Sequence, residues 1–204
     1  MFMKLALLVL LVLFNVGGCR TEQPVDDSVD IELPDYRVTE VIIEGGDSFP
    51  PYLVGTWVDE RQRWQFTFQP DGQISNIVHS MGRVSLEPGK VKKIPMRFGG
   101  TSIYEPGQWV VIYNNDNKYL TVQIVLEYMY AEIGDGIVEG SSVDIFSGPV
   151  EDKEPIWLVD WISYPEYTAH TEKYPNFSLR DKNDPPKQQS LVFKKTQPNE
   201  DSGN

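Results

Sequence analysis

Ser48, His79, His170 and Cys19 are the residues of this chain best suited to covalent or proton-transfer chemistry, and their surroundings decide how far each can go. A serine nucleophile needs a histidine to take its proton and a carboxylate to orient that histidine. Only two histidines exist, and no Asp-x-x-His pair precedes the C-terminus. Gly46-Asp47-Ser48, followed by Pro50-Pro51, is therefore read as a turn. Two histidines so far apart also make a poor zinc site, which needs three or four ligands close together. His79 closes a strand, where it is either exposed or hydrogen-bonded. Asp160 stands between Val159 and Trp161 in an apolar run. Trp157, Val159 and Trp161 share one face there, so Asp160 is expected to point outward. Asp26, Asp27, Asp30, Glu32 and Asp35 could gather divalent cations loosely, but no glycine-turned loop of the calcium-binding sort accompanies them. The residues thus predict no catalytic set, no metal site and no cofactor.

Cys19 is the exception. Met1-Phe2-Met3-Lys4 carries one cation, residues 5–14 are continuously apolar, and Asn15-Val16-Gly17-Gly18 leads to the only cysteine. A cation, a short apolar run and small residues before a break are the parts of an export signal. The run is too short to span a bilayer, which takes about 20 apolar residues in helix. Val16-Gly17-Gly18-Cys19 resembles the bacterial lipobox. That resemblance implies a diacylglyceryl group on the Cys19 thiol and cleavage just before it. The chain is then a membrane-attached envelope lipoprotein, held by acyl chains that each contribute about 0.8 kcal/mol per buried CH₂. Arg20, which is not the Asp that retains such proteins in the inner membrane, implies the outer membrane where the cell has one.

The balance of charge narrows the partners. The full chain has 204 residues and a formal net charge of −12; without residues 1–18 the balance is −13. Phosphate binding needs a basic stripe, so nucleic acid is excluded as a partner. The same sign weakens attraction to anionic headgroups and leaves anchoring to the acyl chains. Residues 19–36 read as the lipidated cysteine and a solvated acidic tether, 37–195 as the folded body, and 196–204 as a polar tail.

The elements that must position any site are strands. Beyond Cys19 the chain has 18 Val and 14 Ile against 8 Leu and 2 Ala, with 22 aromatics, which favours pleated sheet over helix. Period-two alternation marks residues 63–69, where Trp64, Phe66 and Phe68 face one way. Pro70-Asp71-Gly72 then turns the chain into 73–79. Residues 121–130 put Val122, Ile124, Leu126, Tyr128 and Tyr130 on one face, joined through Asn114-Asn115-Asp116-Asn117 to 108–113. Further strands are expected at 38–43, 55–60, 94–98, 137–146, 156–162 and 190–195. That is about eight to ten strands, enough to close a barrel. Residues 165–189 form a connection longer than the usual loop of about 4–6 residues, with room for a short helix at 166–173. Gly46-Asp47-Ser48 also resembles the nucleophile block of a lipolytic hydrolase family, but the helices of that α/β fold are missing.

Gly55-Thr56-Trp57, followed by Trp64 to Gly72 and closed by Leu191-Val192-Phe193-Lys194-Lys195, resembles small bacterial lipocalin-like proteins. The resemblance implies an all-β, antiparallel up-and-down barrel. Trp57 would plug its closed end, Gly55 would allow close approach, and Lys194 or Lys195 would be the closing basic residue. Trp64, Phe66, Phe68, Trp109, Tyr128 and Trp157 would then either line a cavity for a small apolar ligand or fill a dry core. In the second case the protein is a structural or interaction lipoprotein that contacts another envelope protein.

Overall fold

The computed structural model describes residues 31–32, 39–80, 83–96, 99–133, 136–153, 155–170, 177–178 and 185–196. Cys19, the export signal and most of the expected tether and tail lie outside them. The described chain is all β. Its fourteen strands are β1 (Ile31–Glu32), β2 (Thr39–Glu44), β3 (Gly55–Val58), β4 (Gln65–Phe68), β5 (Ile74–His79), β6 (Val84–Leu86) and β7 (Lys90–Pro95). β8 (Thr101–Pro106), β9 (Trp109–Asn114), β10 (Tyr119–Ile133), β11 (Gly136–Pro149), β12 (Ile156–His170), β13 (Phe177–Ser178) and β14 (Lys187–Lys195) follow. One 3-10 turn at Pro51–Leu53 is the sole helical piece among the described residues.

The strands form one sheet in the order β1-β7-β8-β10-β11-β12-β14-β3-β4-β5-β6. β8 and β9 lie end to end along one edge of β10, and β11 takes the other edge. They are separated at Gly107-Gln108, where the Gly107 N–H and the Trp109 indole N–H both donate to the Val125 carbonyl. β14 returns to β3, with Lys195 opposite Trp57. The turn between β4 and β5 falls where Pro70-Asp71-Gly72 predicts it: Gly72 takes φ of 86°, and the Asp71 carboxylate accepts the Gln73 N–H at 3.0 Å.

This architecture corrects the closed up-and-down barrel. β2 pairs with β9 in parallel, so the sheet is mixed, and no ladder between described residues joins its two ends. The reason lies in the connections. Six strands intervene between β2 and β9, so no hairpin dictates their relative direction. The gap beside β2 is bridged by side chains instead. The Thr39 hydroxyl donates to the Ile74 carbonyl at 3.4 Å, and Phe49 and Val41 cover Gly72 so tightly that a Cβ there would stand within 2.9 Å of both.

Two further expectations change for local reasons. β10 carries a bulge between Leu126 and Met129. One extra residue reverses the alternation, so Met129 and Ala131 face inward, and Tyr128 and Tyr130 leave the core face. Residues 166–170 are the end of β12, not a helix, because β11 offers its edge as far as Ile137, opposite His170. The remaining residues 171–173 lie outside the described ones. Ile31–Glu32, assigned to the tether, pair with Val91 and Lys90 as a short edge strand.

The core is aromatic. Trp57, Trp64, Phe66, Phe68, Trp109, Phe146, Trp157 and Phe193 are each at most 1% exposed. Phe66 packs on Phe146 at 4.9 Å and on Phe193 at 5.2 Å, and Trp157 meets Phe193 at 5.3 Å. Each buried ring of this size stabilises by roughly 1.5–3 kcal/mol, and each ring pair adds about 0.5–1.5 kcal/mol. At the β3 end, the Trp57 indole donates to the Leu53 carbonyl at 2.8 Å. Lys195 lies along Gly55 and donates to the Tyr52 carbonyl at 3.0 Å.

Candidate functional site

Two neighbouring strands change character along their inward faces. On β11 the inward row runs Phe146, Asp144, Ser142; on β12 it runs Trp157, Val159, Trp161, Ser163. The register sets Phe146 opposite Trp161 and Asp144 opposite Ser163, so both rows turn polar at the same level. His79, the last residue of β5, reaches this level from across the core. Asp144 and His79 are 2% and 3% exposed.

The Asp144 carboxylate is held from two sides. Trp161 Nε1 donates to Oδ1 at 2.9 Å, and Ser142 Oγ donates to Oδ2 at 3.1 Å. His79 Nε2 lies 3.9 Å from Oδ2, an ion-pair distance when the imidazole is protonated. The His79 ring meets Trp64 edge-on with centroids 4.6 Å apart. Trp64 Nε1 is buried with no hydrogen-bond acceptor among the described residues. A donor left in that state costs about 1–3 kcal/mol. On β14, Lys187 stands opposite Ser163 and places its ammonium 4.7 Å over the Trp161 ring.

These side chains surround a pocket of about 230 Å³, whose walls also include Ser80, Pro165 and Tyr167. Burial pushes the Tyr167 hydroxyl up to about 12. A hydrogen bond with Ser142 opposes that shift, and the Asp144 and Tyr104 charges add to it. Tyr167 therefore stays protonated, and available as a donor, at any physiological pH.

The residues singled out by sequence distribute unevenly around this pocket. Trp64 lines it. Phe66, Phe68 and Trp157 pack ring on ring behind it, and Trp109 is buried beside β10. Tyr128 joins a different cluster: its hydroxyl donates to Glu139 Oε2 at 3.1 Å, and His170 Nε2 sits 3.1 Å from Glu139 Oε1. That cluster is partly exposed, and none of its three residues lines the pocket that holds His79. Among the described residues no three or more His, Cys, Asp or Glu side chains gather as a metal site would require. Ser48 is exposed in the bend after β2. Asp160 faces outward, as its alternation predicts, and accepts the Ser190 hydroxyl at 3.2 Å.

Asp144, Ser142, Ser163, Tyr167 and Lys187 went unnoticed in the sequence. One signal could have found the first two. In Ser142-Val143-Asp144-Ile145-Phe146 the acid shares parity with Phe146, so an inward Phe146 requires an inward Asp144. Nothing local could pair that carboxylate with His79, which lies five strands away along the sheet path.

Among the described residues no helix is long and apolar enough to cross a membrane. No family model, no curated protein and no solved structure matches this chain.

Proposed function

We propose that this is a lipid-anchored envelope protein, acylated at Cys19, whose lipocalin-like β body binds a small ligand at the polar end of its aromatic core. The acyl chains attach it to the membrane, the outer one where the cell has two, and the acidic segment holds the body off the surface. The body keeps the lipocalin-like opening strand, aromatic hairpin and returning last strand within a mixed, unclosed sheet whose gap beside β2 is bridged by side chains. Trp57, Gly55 and Lys195 cap one end of it.

One observation carries the ligand reading: a buried carboxylate, Asp144, sits with His79 and Trp161 in the wall of a 230 Å³ pocket. Ionised groups taken out of water lose several kcal/mol of solvation and need compensation. Trp161 and Ser142 supply part of it, and a bound ligand would supply more. The reading is binding and not catalysis. Ser142 spends its proton on Asp144, so its hydroxyl serves to hold the carboxylate in the pocket wall.

Two experiments test the proposal. Cys19→Ser is expected to move the protein from the membrane pellet to the soluble fraction; equal partition of variant and parent refutes the anchor. Native mass spectrometry of the full chain, released from detergent against a panel of small metabolites, is expected to retain an adduct that Trp161→Phe diminishes. No adduct from any class refutes the ligand reading.

A second reading has its own support. Phe66, Phe146, Trp157 and Phe193 are packed on one another, as in a solid interior that serves to present loops to a protein partner. Crosslinking in intact membranes distinguishes it: a reproducible neighbour favours it, and recovery of the monomer alone counts against it.

A further inference from the structure

We propose that the pocket beside Asp144 takes a small organic cation, a primary or quaternary ammonium, and that Lys187 occupies the cation's place when the pocket is empty. This rests on the ligand reading above and names the class of ligand.

Three features select the charge. Asp144 puts a carboxylate at the wall of the pocket, almost fully removed from water. Trp64, Trp161 and Tyr167 share the walls with His79, serines and Pro165, and aromatic faces attract ammonium groups through their negative π-clouds. The third feature is Lys187 itself. Its ammonium rests 4.7 Å over the Trp161 ring, which marks that face as a cation position within the folded protein. Lys187 is exposed on β14 and can withdraw without disturbing the core.

Size and field agree with this choice. At about 230 Å³ the pocket falls below the roughly 300–1,000 Å³ of sites for drug-sized molecules, so it suits a compact head group. The net charge of −12 draws cations toward the chain and repels anions. A neutral molecule of the same shape gains neither the carboxylate nor the ring attraction.

The competing lysine makes the proposal sharp. Were the ligand anionic, Lys187 would be its counter-ion, and removing the lysine would weaken binding. A cationic ligand has to displace Lys187, so removing it strengthens binding.

The experiment uses the full chain in detergent with ¹⁵N-labelled tryptophan, whose five indole N–H signals report on Trp57, Trp64, Trp109, Trp157 and Trp161. Trp161 is assigned through Trp161→Phe. Tetramethylammonium and choline are titrated against 3,3-dimethylbutan-1-ol, the neutral isostere of choline. The expected result is a saturable shift of the Trp161 signal with the cations and little with the alcohol. Lys187→Met is expected to tighten cation binding about fivefold, the size of one surface cation–π contact. Asp144→Asn, which keeps an acceptor for Trp161, is expected to weaken it at least about tenfold, as losing a partly desolvated charge pair would.

Equal shifts with the alcohol, or weaker binding in Lys187→Met, overturn the cation assignment while leaving the pocket as a ligand site. No shift with any cation, in the parent or in Lys187→Met, also overturns it. The metabolite panel then decides separately whether the pocket binds anything. Dispersion of the other four indole signals shows that each variant is folded.

Discussion

Asp59 offers the most direct test of how the two ends of the chain are locked together. It follows β3, is 3% exposed, and belongs to no pocket chemistry invoked above. Its carboxylate bridges two distant backbone groups. Oδ1 accepts the Gln62 N–H at 2.7 Å inside the turn that leads to Trp64, and Oδ2 accepts the Val192 N–H at 3.2 Å on β14. β3 pairs with β14 only at Lys194 and Lys195, so Asp59 continues by side chain a ladder that the backbone has left. Asp59→Ala removes two hydrogen bonds to a charged acceptor and strands the Val192 N–H in a part-buried position. Hydrogen bonds to charged groups contribute about 1.5–3 kcal/mol each, and an unmet buried donor costs about 1–3 kcal/mol. Because these overlap, about 2–4 kcal/mol is expected in total, a large part of the roughly 5–15 kcal/mol that stabilises an ordinary domain. At about 2–4 °C per kcal/mol for a chain of this size, the melting temperature falls by roughly 5–15 °C. Thermal melts followed by near-ultraviolet circular dichroism, which reads the packed tryptophans, measure it. Asp59→Asn keeps one acceptor oxygen and is expected to lose about half as much. An alanine variant that melts within 1 °C of the parent would show that β14 and β3 are held by their short ladder alone.

Other expectations follow from single positions. At Gly148 a Cβ would stand 1.8 Å from the Leu158 carbonyl oxygen, so Gly148→Ala forces β11 and β12 apart. Overpacking of this kind costs about 1–3 kcal/mol or more, and urea unfolding should show the loss; an unchanged midpoint would contradict the close approach. Tyr167 is pushed up to about 12, and burial also raises Tyr104. A raised phenol keeps its stabilising effect below its unfolded value near 10 and forfeits it as pH climbs through the folded value. Stability should therefore fall between about pH 10 and pH 12, and the fall should be shallower in Tyr167→Phe. Melting temperatures across that range, with tyrosinate absorbance in parallel, check both statements.

Much of this fold was legible because strands announce themselves by parity. Trp64, Phe66 and Phe68 predict one buried face and obtain it, as do Trp157, Val159 and Trp161. Asp71-Gly72 and Asn114 to Asn117 predict turns that the structure places between β4 and β5 and between β9 and β10. What failed was information that parity cannot carry. The bulge in β10 inserts one residue, and every later side chain on that strand changes sides, so Tyr128 and Tyr130 were assigned to the wrong face. The parallel approach of β2 to β9 leaves no local trace, because pairing over so long a separation is decided by what edge remains vacant. The polar pocket was hidden for both reasons. Asp144 sits at a parity that an inward Phe146 implies, yet its partner His79 arrives from a strand remote in the chain.

The placement of Asp144 is the feature that stability alone does not explain. Replacing a buried ionic group by well-packed apolar residues is often neutral or stabilising, so a core that keeps its carboxylate forgoes an easy gain. The surrounding residues make the loss bearable and do not abolish it. Trp161 and Ser142 cover one lone pair on each oxygen, and His79 stands 3.9 Å off, close enough to answer the charge and too far to share a proton in a direct hydrogen bond. A carboxylate has about four lone-pair sites, so two described donors leave capacity on both oxygens. The same indole that donates to Asp144 presents its face to Lys187, so the carboxylate and the ammonium engage one ring at its edge and its face. A change in what lies over Trp161 is therefore felt at Asp144, and a change in the charge on Asp144 alters the electron density that the ring offers. That coupling through a single side chain makes Trp161 the position from which occupancy of the pocket can be read.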